Sequence, residues 1–196
     1  MDTHHFLTLC FFLLLSCHAL TSSATTAEED ASDFVRRLDR KSLGLHKKEK
    51  LSHIKLYFHD IVSGPNPTSV TVVPQAHKND TTFFGMVKMI DDPLTQGPDR
   101  SSKLVGKAQG FYAASSQSEF SLLMAMDFVF IEGKYNGSTI TILGRNAIFN
   151  KVREMPVVGG SGIFRFARGY AEARTKSIDF KTGDAMVEFN VYVFHY

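Results

Sequence analysis

The stretch Arg153-Glu154-Met155-Pro156-Val157-Val158-Gly159-Gly160-Ser161-Gly162-Ile163-Phe164-Arg165-Phe166-Ala167-Arg168 decides the fold. Its first part, Arg153–Val158, is apolar and of strand length. It runs into Gly159-Gly160-Ser161-Gly162, a cluster that permits backbone angles barred to other residues. Beyond the glycines the chain alternates through Phe164, Phe166 and Arg168, with the period of two that marks a strand. The reading is strand, glycine-rich turn, strand.

The same pattern extends both ways from this point. Towards the N-terminus lie strand candidates at Ser138–Gly144, Glu119–Glu132, Leu104–Ser115, Thr82–Ile90 and Ser69–Val73. In a first strand, Leu56, Phe58, Asp60 and Val62 alternate with Lys55, Tyr57, His59 and Ile61. Turns separate them at Gly64-Pro65-Asn66-Pro67, Asp91-Asp92-Pro93 and Lys134-Tyr135-Asn136-Gly137. Towards the C-terminus, Ile163–Ser177 and Ala185–Tyr196 are joined by Lys181-Thr182-Gly183-Asp184, as a hairpin would be. Consecutive strands with short turns and no helical period indicate an antiparallel meander. Closing about eight of them gives a barrel just wide enough for one small ligand. The expected fold is all-β, a single eight-stranded antiparallel β-barrel domain over residues 51–196.

The 196 residues suffice for one domain with a sizeable core. The run Phe6 to Cys17 is almost wholly apolar, too short to span a bilayer, and suits the apolar region of a secretory signal peptide. Ser22-Ser23-Ala24 offers a cleavage site, with Cys17-His18-Ala19 as a second candidate, although no Lys or Arg precedes the run. Residues 1–24 are expected to be the signal peptide and 25–50 a polar segment. In that segment Phe34, Val35, Leu38 and Leu43 mark either one face of a short helix or nothing regular. Cleavage after Ala24 removes both cysteines, Cys10 and Cys17, so packing and strand pairing alone must hold the exported chain. It also removes Asp2, leaving 22 basic against 19 acidic side chains, or +3. That balance is too mild to point to nucleic acid or a membrane surface. Asn79-Asp80-Thr81 and Asn136-Gly137-Ser138 are glycosylation sequons expected on exposed turns.

The chain from residue 25 on holds no cysteine nucleophile, phosphate-cradling glycine loop or Gly-x-Ser-x-Gly elbow. Its histidines, His46, His53, His59, His77 and His195, show no paired spacing suited to a metal, so no metal and no cofactor are expected. Asp60 shares a strand face with Leu56 and Phe58. If that face lines the lumen, desolvation raises the carboxyl's pKa and makes it a usable proton donor or acceptor; otherwise it only bonds nearby backbone. Leu122 to Phe130 is apolar on both faces, which asks for an outer cover from another copy of the chain, from the N-terminal segment or from a loop. Asp127 within it is either a lumen acid or an interface partner.

Tyr57-Phe58-His59-Asp60-Ile61, Ala108-Gln109-Gly110-Phe111-Tyr112 and the Arg153–Glu172 run together strongly resemble the dirigent family of plants, in the right order and over nearly everything from Leu51 to Tyr196. The resemblance implies a lipocalin-like or allene-oxide-cyclase-like barrel that holds reactive phenolic intermediates and decides the stereochemistry of what forms. It implies a secreted, apoplastic protein that assembles as a dimer or trimer. A laccase or peroxidase would serve as external oxidant wherever radicals couple. Asp60, Tyr112 and Arg153 are its implied reactive residues, with Phe58, Asn146 and Phe166 as substrate contacts. An aromatic core role for Tyr112 and a rim salt bridge from Arg153 to Glu154 are the competing readings. One departure stands out: Gly144-Arg145-Asn146 replaces the Gly-Ala-Asp of coniferyl-alcohol-coupling members. This brings the chain closer to the disulfide-free branch containing pterocarpan synthases, which dehydrate an isoflavanol through a quinone methide. Three functions are therefore weighed, with stereodirecting of phenoxy-radical coupling first and isoflavanol dehydration second. A carrier that binds apolar ligands without chemistry is the third.

Overall fold

The structure, a computed structural model, describes residues 35–196. The expected signal peptide, Cys10, Cys17 and Phe34 lie outside the described residues. The chain forms two units, Met1–Leu43 and Gly44–Tyr196. In the first, the described residues hold one exposed 3-10 turn, Arg40–Leu43, and Val35 and Leu38 stand exposed in irregular backbone instead of on a helix face.

The second unit is built on nine strands, with short 3-10 turns at Gly133–Tyr135 and Gly162–Phe164: β1 Lys50–Asp60, β2 Ser69–Val73, β3 Val87–Thr95, β4 Leu104–Ala114, β5 Ser121–Phe130, β6 Thr139–Ala147, β7 Arg153–Ser161, β8 Arg168–Ile178 and β9 Ala185–His195. All pairings are antiparallel, in the order β1-β9-β8-β7-β6-β5-β4-β3. The ring closes where β1 meets β3, with Tyr57 opposite Thr95 and Phe58 opposite Leu94. Eight strands thus form a closed barrel. The ninth, β2, takes over along β3 where β1 leaves it, with Ser69 opposite Ile90. Closure leaves no long free edge, which suits a barrel held without disulfides. Among the described residues no helix is long and apolar enough to cross a membrane.

Strand alternation fills the interior. Leu56 on β1, Phe128 on β5, Ile140 and Ile142 on β6, and Phe189 on β9 are all buried. Phe128 meets Phe189 edge-on, with centroids 5.2 Å apart. The barrel end where β5 and β7 finish is plugged by Phe164, packed on Phe130, Tyr135 and His195. The opposite end stays open.

Two expectations need correcting. Asp91-Asp92-Pro93 is not a turn but lies inside β3. The Asp91 amide donates to the Thr68 carbonyl, so the Pro93 nitrogen, two residues on, faces the same side. There it sits in the gap between β2 and β1, where no ladder donor is needed. Likewise Gly159-Gly160-Ser161 prolongs β7 instead of ending it. Gly160 carries no side chain because a Cβ there would press on the Thr139 carbonyl of β6. The turn follows, with left-handed backbone at Gly162 (φ 60°) and Phe166 (φ 62°).

Candidate active site

The open end holds a cavity of ≈ 400 Å³, within the range typical of small-molecule sites. Phe58 and Asp60 from β1, Tyr112 from β4, Asn146 from β6 and Arg153 from β7 all line it. Phe166 does not. Its left-handed backbone turns it away on the loop before β8, half exposed, at the plugged end of the barrel. Phe166, expected beside the other five, thus lies apart from this cavity.

Asp60 is the last residue of β1, and the strand period brings it to the same inward face as Leu56 and Phe58. Tyr112 donates to Asp60 Oδ2 at 2.9 Å and lies 3.0 Å from Ser69 Oγ. Burial drives the Asp60 carboxyl upward, against the opposing pull of the Tyr112 and Ser69 hydroxyls and the Lys88 ammonium. Desolvation and the neighbouring Asp60 likewise drive the Tyr112 phenol upward, so it stays protonated and donating. His59 points outward from the barrel axis and is buried against Thr95, 2.8 Å from its hydroxyl. Burial lowers its pKa, so it stays neutral and structural.

Across the ring, β6 and β7 bring in the second polar group. Arg153 is buried and donates from Nε to Asn146 Oδ1 at 2.9 Å. Its guanidinium reaches the Asn150 carbonyl as well. Glu154 points outward and exposed, which excludes the rim salt bridge. Burial lowers the Arg153 pKa, but arginine still keeps its charge. Asp127 sits on the outer face of β5, where Thr141 donates to it at 2.6 Å, so it is not a lumen acid.

The cavity also contains groups that motif reading missed. Lys88 projects inward from β3. Phe83, Phe149 and Phe180, from three different loops, form an aromatic rim, and the last two are 70% and 75% exposed. Behind Asp60 lies Asp92, wholly buried, accepting from the Thr68 hydroxyl. Desolvation, then the charge of Asp60, push Asp92 up to about 8. Its signal was available in the alternation Lys88, Ile90, Asp92, Leu94, once Pro93 is allowed inside a strand. No cluster of three or more metal-ligating side chains occurs among the described residues.

This arrangement is an apolar cup with the Asp60–Tyr112 pair on one side and the Arg153 guanidinium on the other. The family model for dirigent-like proteins matches residues 51–194. The chain belongs to the dirigent family. Among its dirigent relatives, Dirigent protein 7 of Arabidopsis thaliana is 52% identical over 184 residues, covering 94% of this chain and 97% of that protein. Pterocarpan synthase 1 of Glycyrrhiza echinata is 47% identical over 188 residues, covering 95% and 97%. The solved structure of the pterocarpan synthase dirigent protein PsPTS1 superposes with a TM-score of 0.72 at 53% identity, over 76% of this dirigent chain and 98% of that one.

Proposed function

We propose that this chain is a secreted stereodirecting protein that binds one phenylpropanoid-derived phenol, as its phenoxy radical, and selects the face on which it couples in lignan formation. The observation that supports this most is the convergence of Asp60, Tyr112, Asn146 and Arg153 on one otherwise apolar cavity. A volume of ≈ 400 Å³ suits a single phenylpropanoid-sized guest. The barrel wall then shields one face of that guest, and the second radical approaches from the open end. Orientation supplies the selectivity, while a separate laccase or peroxidase removes the electron. Coupling leaves a quinone methide. As a side-chain hydroxyl closes onto it, Asp60 takes the hydroxyl proton and Arg153 steadies the quinone oxygen that is protonated in turn.

A second reading is favoured by the upward-shifted Asp60 carboxyl and by Asn146 standing where an aspartate would serve coupling. Here the chain is a carbon–oxygen lyase acting on an isoflavanol. Asp60, when protonated, donates to the departing hydroxyl, water leaves, and the phenol releases its own proton towards the open end as it becomes a quinone methide held by Arg153. An internal hydroxyl then adds to close the new ring, its proton passing to the Asp60 carboxylate while the quinone oxygen regains one from solvent.

Export through residues 1–24 belongs to the same proposal, with the extracellular space, the apoplast, as destination. Exposed Asn79 and Asn136 suit glycans. Val70 and Val72 on β2, Met89 on β3, Phe111 on β4, Leu123 on β5 and Leu143 on β6 are exposed apolar residues that suit burial in a homodimer or homotrimer.

Chiral analysis of products from a panel of phenols, with an oxidase present or absent, tests the assignment. Enantio-enriched product only with oxidase supports coupling, and product without any oxidant supports the lyase. Ligand binding with no effect on either outcome reduces the chain to an apoplastic carrier and overturns both.

A further inference from the structure

The proton chemistry above invokes Asp60 alone, yet Asp60 has a buried neighbour. Among the described residues four buried side-chain atoms lack any hydrogen-bond partner, and two of them are Asp60 Oδ1 and Asp92 Oδ2. The other oxygen of each is satisfied, by Tyr112 at Asp60 Oδ2 and by Thr68 at Asp92 Oδ1. The two carboxyls belong to β1 and β3, the strands that close the barrel, and the Ile61 amide next to Asp60 also reaches Asp92. An orphaned carboxylate oxygen in a dry site is costly, and two neighbouring carboxylates there cannot both hold charge.

We propose that Asp60 and Asp92 form one unit that holds a single proton at neutral pH, with Asp92 the positioning residue that keeps the charge of the pair on Asp60 at the cavity wall. The inference deepens the proposed function and rests on it, because it concerns the proton that the bound phenol exchanges. The surrounding groups decide which carboxyl carries the proton. Asp60 is faced by the Tyr112 phenol from β4 and the Lys88 ammonium from β3, both of which favour its charged form. Asp184, from the turn between β8 and β9, adds a weaker repulsion and is itself tied to Arg100. Asp92 is faced by Asp60 and Asp91, both acidic, and by the neutral donors Thr68 and the Ile61 amide. The proton therefore sits on Asp92, at the oxygen that nothing else bonds. There it removes the repulsion that would otherwise discharge Asp60.

Carbon-13 titration of the aspartate side-chain carboxyls in the folded, phenol-free chain tests this directly. One carboxyl is expected to stay protonated through neutrality and to ionise near pH 8. Asp60→Asn should lower that step by ~1 pH unit or more, since interacting sites titrate as a pair. Asp92→Asn should abolish it, and the pH profile of product formation should lose the matching inflection without a change in KM. Ordinary titration of all carboxyls in the wild type, which needs no variant, would overturn the inference. So would a high step that Asp60→Asn leaves unmoved. Because no phenol is present, the pair can stand even if no stereodirected product is ever found. Selective product formation with ordinary carboxyls would instead sink the pair and leave the function in place.

Discussion

The Tyr112 phenol donates its 2.9 Å hydrogen bond to Asp60 across β3, because β4 and β1 are not paired with each other. The contact exists only because the barrel closes, and β2 adds the Ser69 hydroxyl 3.0 Å from the same phenol. Tyr112→Phe removes the central hydroxyl and leaves Asp60 Oδ2 and Ser69 without it. We expect a stability loss of about 1–3 kcal/mol in denaturant unfolding, the usual cost of stranding a buried polar group. The Asp60 carboxyl should also rise further. An unchanged midpoint and unchanged carboxyl titration would show that the contact carries no energy.

The pH dependence of stability follows from Asp92. Its folded pKa, about 8, lies above that of an unfolded aspartate, so between these values the folded chain holds a proton that the unfolded chain has released. Stability from this group is therefore full in acid and falls as pH rises from ~4 to ~8, by up to ~1.4 kcal/mol per pH unit. Asp92→Asn should flatten that slope in unfolding midpoints measured from pH 5 to 8. His59 works the other way, since its lowered pKa withdraws stability as pH falls below its ordinary range. A slope unaltered by Asp92→Asn would contradict this assignment.

Closure of the barrel depends on close strand approach at Gly110. Its φ of 148° is unfavourable for other residues, and a Cβ would overlap the Ala125 carbonyl of β5. Gly110→Ala should force β4 and β5 apart and abolish soluble expression or lower Tm sharply. Phe189→Ala, in contrast, should leave the topology intact and cost about 3–5 kcal/mol through a core void. Near-wild-type melting of either variant would show the packing account to be wrong.

Arg153→Leu removes the cationic wall and strands Asn146 Oδ1. A charge-assisted hydrogen bond contributes about 1.5–3 kcal/mol, so phenol affinity should fall by roughly tenfold or more in calorimetric titration. Arg153→Lys should recover part of it, because a point charge lacks the planar fork. Equal affinity in all three chains would remove Arg153 from the site.

Much of this was legible in the chain. Period-two alternation located β2 and the start of β7 to the residue, and it put Phe58 and Asp60 on one strand face without saying that this face looks inward. It failed where local chemistry and tertiary context disagree. Asp and Pro are turn formers, so Asp91-Asp92-Pro93 reads as a turn, yet the gap between β2 and β1 absorbs the proline. That error hid Asp92. Phe166 continues an alternating pattern on paper, but one left-handed residue reverses the side on which it lies. Local pattern carried no sign that Tyr112 and Arg153 meet at one cavity, since ring closure brings their strands together. The resemblance to dirigent proteins supplied that pairing.

The most direct test is the enantiomeric excess of product formed by wild type and by Asp60→Asn, with phenol and oxidase held constant and phenol binding measured in parallel. A strong excess from wild type, falling to a racemate in a variant that still binds the phenol, is the predicted result. Equal selectivity from both chains, or a racemate from wild type, would contradict orientation of the phenol by Asp60 in the cavity as the source of stereocontrol.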